Sequence, residues 1–215
     1  MVIHSAISKE EINELPKVVF EGQIHVIDST ADTEKAIYYL SRQSVVGIDS
    51  ETRPSFKKGK TNKVSLFQIS TSEHCFLFRL NKIENPAPLI CFLENPQIVK
   101  IGISLKDDES SLRRRYKFTP GGWLDLQTFV IPFGITDKSL QKIYAILFGE
   151  KISKSQRLTN WEADELTQAQ KIYAATDAWT CLKIYNLLNE LKRSGNYETI
   201  ISNLNKELKN DNLPK

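Results

Sequence analysis

The sequence predicts a layered α/β domain with a mixed central sheet. Three strand-like segments, 45–51, 63–70 and 75–80, follow one another with only turns between them and read as an antiparallel meander. After them, helical and strand-like segments alternate, which lays helices over a sheet that also contains parallel strands. No internal repeat interrupts this order.

The 215 residues suit one compact body over 23–193, preceded by a polar leader over 1–22 and followed by a polar helical tail over 194–215. IHVI at 24–27 reads as a short strand. Asp28 or Ser29 caps a helix from Ala31 to Arg42, in which Ala36, Ile37 and Leu40 recur at helical spacing. VVGIDSE at 45–51 is a strand that begins apolar on both faces, and KKGK at 57–60 is a charged turn. Phe67 and Phe76, on the next two strands, alternate with apolar neighbours and belong to the core. Proline opens a helix over 86–95, a strand covers 97–103, and a helix runs from Lys106 to Tyr116. WLDLQ at 123–127 is a short strand, and Gly149 ends a helix over 138–148. Residues 151–162 form a polar loop. Thr167 and Gln170 have capping-box spacing and open a long helix from Gln168 to about Lys192. From Asn196 the chain reads as a frayed surface helix.

With 29 Lys and Arg against 26 Asp and Glu, the net charge is +3, too weakly basic to demand a nucleic-acid partner by itself. No apolar run reaches the roughly 18–20 residues of a membrane span, and the first residues lack the pattern of a secretory signal. Cys75, Cys91 and Cys181 are odd in number and far apart. That excludes a disulfide framework or a CxxC zinc knuckle and suits a reducing cytoplasm.

The chemistry resides in the acids. On a strand, Asp49 and Glu51 share one face with Val45 and Gly47. Two like charges side by side raise each other's pKa unless a cation lies between them. Asp107, Asp108 and Glu109 open a helix, where the helix dipole alone would favour acids. On the last helix Tyr173, Asp177, Cys181, Ile184, Leu188 and Leu191 form one stripe. Asp177 is the charged member of a core-facing stripe with no basic residue on its adjoining turns, so either backbone hydrogen bonds or a metal ion must satisfy it. Four carboxylates and a phenol form an oxygen-rich set that selects hard divalent cations such as Mg2+ or Mn2+. Two such ions about 3.5–4 Å apart serve an in-line phosphoryl displacement.

These segments together resemble the DEDD 3′–5′ exonucleases, in the subgroup with tyrosine in the last motif. Within it the likeness is strongest to the exonuclease domain of the Werner syndrome helicase, followed by the RNase D group. VVGIDSE supplies D-x-E, KIGISLKDDESSL supplies the helix-start aspartate, and YAATDA supplies the tyrosine motif. Asp108 keeps the spacings to Gly102 and Leu112, with Asp107 the alternative by one register. The resemblance implies a ribonuclease H-like fold and two divalent cations, Mg2+ or Mn2+. It further implies that Asp49, Glu51 and Asp177 bind the ion nearer the nucleophile, that Asp49 bridges to a second ion near Asp108, and that Tyr173 orients the attacking water. The implied substrate is nucleic acid with a free 3′ end, DNA as the primary expectation and RNA trimming as the alternative. A non-catalytic binding module would be expected to have lost a carboxylate, and none is lost. No helicase segment accompanies the motifs, so a helicase or repair partner in trans is expected. Lys57, Lys58, Lys60 and Lys63 beside the first motif, and Arg113 on the second-motif helix, are candidate phosphate contacts or simply solvated charge. Trp161 either shapes the channel or packs at the surface. Asp125 is read as mainly structural.

Overall fold

The computed structural model of the chain describes residues 1–55, 57, 59 and 61–201. In chain order the first elements are β1 (Val2–His4), α1 (Lys9–Glu14), β2 (Lys17–Val18), β3 (Gln23–Ile27) and α2 (Thr30–Leu40). Then come the meander strands β4 (Val45–Thr52), β5 (Val64–Ser70) and β6 (His74–Arg79). The alternating half holds α3 (Ala87–Glu94), β7 (Val99–Gly102), α4 (Leu105–Arg113), β8 (Trp123–Asp125), α5 (Leu126–Phe129) and α6 (Leu140–Phe148). The last elements are β9 (Lys151–Ile152), α7 (Gln168–Ser194) and β10 (Glu198–Ile200). Six strands form one sheet in the order β3-β6-β5-β4-β7-β8. β4 and β5, and β5 and β6, pair antiparallel as the meander predicts, while β3, β7 and β8 join in parallel.

The two faces of the sheet are covered differently. Val46 and Ile48 on β4 pack with Phe67, Phe76, Phe78, Leu89 and Leu112 beneath α2, α3 and α4. The other face carries α7, whose Ala174, Ala175 and Ala178 have no exposed surface. Small residues let this helix approach the strands closely. A Cβ built on Gly47 would lie 1.9 Å from the Ala178 carbonyl oxygen, so the backbone contact itself demands glycine there. A second core joins α6 to the later turns of α7 through Ile143, Tyr144, Cys181, Ile184 and Leu188.

Several expectations are corrected. The segment read as a polar leader carries β1, α1 and β2, and Ile3, Ile12, Val18 and Phe20 are buried. Residues 198–200, read as part of a frayed helix, form β10, which pairs in parallel with β1, Val2 opposite Glu198. Lys151 and Ile152, read as loop, pair as β9 with β2. Each of these short strands takes its hydrogen-bond partners from a segment more than 130 residues away along the chain. Local periodicity carries no trace of such pairing. Leu126 and Gln127, read as strand, start α5 because the Asp125 side chain accepts from the Gln127 N–H at 2.8 Å and caps the turn. The expected tail beyond Ile201 lies outside the described residues.

Gly47→Ala is expected to destabilise the fold by about 1–3 kcal/mol, because the added methyl meets backbone that cannot give way. Thermal unfolding measures it, and an unchanged midpoint would contradict the close α7–β4 contact.

Candidate active site

The site forms where α7 crosses the end of β4. The Gly47–Ala178 contact fixes the spacing, so Asp177, the residue before Ala178, comes down beside the face that carries Asp49 and Glu51. Ligand oxygens of Asp49, Glu51 and Asp177 lie within 4.8 Å of one another. Glu51 and Asp177 are buried and Asp49 is half-buried. Tyr173, one helical turn before Asp177, is also buried and hydrogen-bonds to the Asp177 carboxylate.

Asp108 approaches from the other side of the sheet. Ser50 alternates away from Asp49 and Glu51, and its hydroxyl donates to the Asp108 carboxylate from the face that α4 covers. Asp107, one residue earlier, is exposed. The start of α4 is held by Asp125, whose carboxylate accepts from the Ser104 N–H at 3.3 Å and the Leu105 N–H at 2.9 Å. Ser104 has φ of 56° and offers no side-chain cap of its own, so Asp125 caps α4 as well as α5. The acid read as mainly structural thus positions the helix that carries Asp108.

The electrostatics are strained. Burial, reinforced by Asp177, Asp108 and Glu51, holds the Asp49 carboxyl well above the usual range. Burial and the charges of Asp177 and Asp108 push Glu51 up to about 9. Burial pushes Asp177 up to about 7 against the Tyr173 hydrogen bond and the Lys154 charge. Asp108 is also pushed up to about 7 by burial, against the Ser50 hydroxyl. Burial and the neighbouring Asp177, Glu51 and Asp49 push the Tyr173 phenol upward, so it stays neutral. A cluster of hard oxygen donors crowded at mutual cost fits a divalent cation, which would relieve the repulsion that burial amplifies.

A cleft of about 280 Å³ opens over the acids, and Lys154, Arg157 and Tyr173 line it with them. Lys154 lowers Asp177 and Arg157 lowers Glu51, so both cations face the carboxylates. Neither was singled out in the sequence. Both lie in the stretch read as a polar loop, which β9 pins to β2. The loop that leads into α7 is also anchored. Buried Arg79 donates to the Asp164 carbonyl at 2.6 Å and to the Ala163 carbonyl, and Lys82 donates to the Asp164 carbonyl at 2.6 Å.

The other expected substrate contacts fare unevenly. Lys57 and Lys63 are exposed on the connection after β4, and Lys58 and Lys60 lie outside the described residues. Arg113 pairs with Glu109 at 2.9 Å and sits on the outer side of α4, beside Tyr116 and Phe118 instead of the cleft. Trp161 is wholly buried, its ring centroid 6.0 Å from that of Tyr173, so it offers no face to a base. It packs behind the tyrosine because Leu66, Leu77 and Ala174 give it an apolar pocket.

Residues 24–192 match the family model described as 3′–5′ exonuclease. The bifunctional 3′–5′ exonuclease/ATP-dependent helicase WRN of Mus musculus is 32% identical over 193 residues, covering 82% of this chain and 13% of that protein. Ribonuclease D of Haemophilus influenzae is 30% identical over 169 residues, covering 77% of this chain and 41% of that protein. The chain therefore spans only a part of these relatives. Among solved structures, the Nibbler EXO domain of Aedes aegypti superposes with a TM-score of 0.74 at 24% identity, covering 83% of this chain and 92% of that one. RNase D of Escherichia coli gives 0.71 at 23% identity, covering 80% and 46%. These two establish a shared ribonuclease H-like fold. With its acids gathered where α7 meets β4 and the family model spanning the body of the domain, the chain belongs to the 3′–5′ exonuclease family.

Proposed function

We propose that the chain removes nucleotides from the 3′ end of DNA by metal-dependent hydrolysis. The observation that carries this reading is the convergence of Asp49, Glu51 and Asp177 under a cleft lined by Lys154 and Arg157. Asp49, Glu51 and Asp177 would hold one divalent ion, and Asp49 and Asp108 a second. When bound, a pair of Mg2+ or Mn2+ ions supplies water activation and stabilises the leaving oxygen.

The protein's own groups do the rest. Tyr173 stays a neutral phenol, so it orients the attacking water by hydrogen bonding instead of removing its proton. The water oxygen forms a bond to the terminal phosphorus as the bond to the 3′ oxygen breaks. That oxygen takes up a proton, leaving a shortened strand with a 3′ hydroxyl and a nucleoside 5′-monophosphate. Lys154 and Arg157 meet the scissile phosphate, where charge-assisted hydrogen bonds are strongest. Lys57 and Lys63, both exposed on the connection after β4, would contact the backbone upstream.

Kinship with a mouse protein that carries a helicase supports DNA, and a helicase or repair factor acting in trans would fray duplex ends for this domain. Kinship with ribonuclease D supports the second reading, trimming of RNA. Matched DNA and RNA oligonucleotides with labelled 5′ ends decide between them. No helix among the described residues is long and apolar enough to cross a membrane. Cys91 is exposed and unpaired, which supports a reducing compartment such as the cytoplasm.

Asp49→Asn or Asp177→Asn is expected to abolish stepwise shortening in Mg2+ or Mn2+ with the fold retained. Full activity in either variant would remove the assignment. Lys154→Met and Arg157→Met are expected to raise KM for an oligonucleotide severalfold and to weaken its salt dependence. An unchanged KM would place the phosphate elsewhere.

The metal-free protein also has a definite pH response. Its carboxyls titrate higher folded than unfolded, where their pKa is about 4. Their contribution to stability is therefore full below about pH 4 and is lost as pH rises through the folded values, about 7 for Asp108 and Asp177 and about 9 for Glu51. In EDTA the unfolding midpoint should fall from about pH 5 to about pH 9, and saturating Mg2+ should restore most at the alkaline end. A midpoint that rises over this window in EDTA would contradict the buried cluster.

A further inference from the structure

Gln68 lies on β5 directly opposite Asp49 in the antiparallel register, so its side chain leaves the sheet on the same face as Asp49. On its other side the register sets Leu77, and both Gln68 and Leu77 are wholly buried. Neither Oε1 nor Nε2 of Gln68 has a hydrogen-bond partner within the protein. Leaving a buried polar group unpaired costs its full desolvation penalty. Leu66, two residues earlier on the same face of β5, is apolar and equally buried. If filling space were the only requirement at position 68, an apolar residue would meet it at lower cost. A buried amide calls for a hydrogen-bond partner, and the polar residue directly across the ladder is Asp49.

We propose that Gln68 is a positioning residue for the ion site. With a divalent cation bound, its Nε2–H donates to the Asp49 carboxylate, directly or through one buried water, and fixes the orientation in which that carboxylate meets the ion. Outer hydrogen bonds of this kind orient metal ligands, and their loss costs about 10–100-fold in metal affinity. The inference rests on reading the acid cluster as a divalent-cation site.

Gln68→Leu and Gln68→Met remove the amide at similar volume. Three quantities are measured for each: the unfolding midpoint in EDTA, Mn2+ binding by calorimetry, and cleavage across a Mn2+ titration. The midpoint in EDTA should stay or rise, because two unpaired buried atoms disappear. Mn2+ should bind about tenfold more weakly, and cleavage should recover at raised Mn2+. Wild-type Mn2+ affinity in both variants would overturn the proposal. So would failure of both to fold in EDTA, since the amide would then serve the fold and not the ion. Asp49→Asn, run alongside, separates this from the underlying reading. It should lose Mn2+ binding; if it binds Mn2+ as the wild type does, the site assignment itself fails whatever the Gln68 variants do.

Discussion

Crowding of like charges at one helix–strand crossing governs this molecule. Asp49, Glu51 and Asp177 are forced within 4.8 Å of one another in a buried place. No hydrogen bond in the immediate site outweighs burial for Asp49, Glu51 or Asp177, and their affinities for protons stay raised. Such a cluster persists only if the surrounding packing holds it. That packing is the contact of Gly47 with Ala178 and the row of buried alanines on α7. Small residues here serve the chemistry: they set the depth at which the helix carries its acid to the strand.

The fourth acid is held by a different device. Asp108 does not share the face of the other three; it accepts from the Ser50 hydroxyl on the α4 side, and its charge raises Asp49 and Glu51. Its position depends on where α4 begins, and that depends on Asp125 accepting from two backbone N–H groups. A polar residue at the end of β8 thus sets the place of an acid on α4. Cations are handled in the same indirect way. Lys154 and Arg157 follow β9, whose pairing with β2 joins the segment after α1 to the rim of the cleft.

Much of this was legible in the sequence because period and composition write it locally. The alternation of VVGIDSE put Asp49 and Glu51 on one face, and the three- and four-residue steps of α7 put Tyr173 and Asp177 on its buried stripe. The illegible parts all depend on distant partners. Nothing within residues 2–4 announces that they pair with 198–200, and two-residue strands such as β2 and β9 carry no period at all. The burial of Trp161 is illegible for a related reason. A tryptophan in a polar stretch reads as a surface group, but the pocket that buries it is built by β5, β6 and α7. Lys154 and Arg157 are illegible in the sequence because a basic residue in a loop has no pattern until the fold gives it a neighbour.

The burial of Trp161 also bears on how Tyr173 works. The water-orienting role proposed for Tyr173 requires a stiff phenol, and a ring open to solvent on both faces would not be stiff. Trp161 packs against Tyr173 from behind, and Arg79 and Lys82 hold the loop that carries Trp161 by its Ala163 and Asp164 carbonyls. The hydroxyl then has one direction to point, toward Asp177. In the metal-free site the same acids also drive the phenol's pKa upward, which keeps the Tyr173 hydroxyl protonated there. On the proposed reading the labour is divided: crowded carboxylates create the demand for positive charge, and the neutral hydroxyl beside them supplies direction.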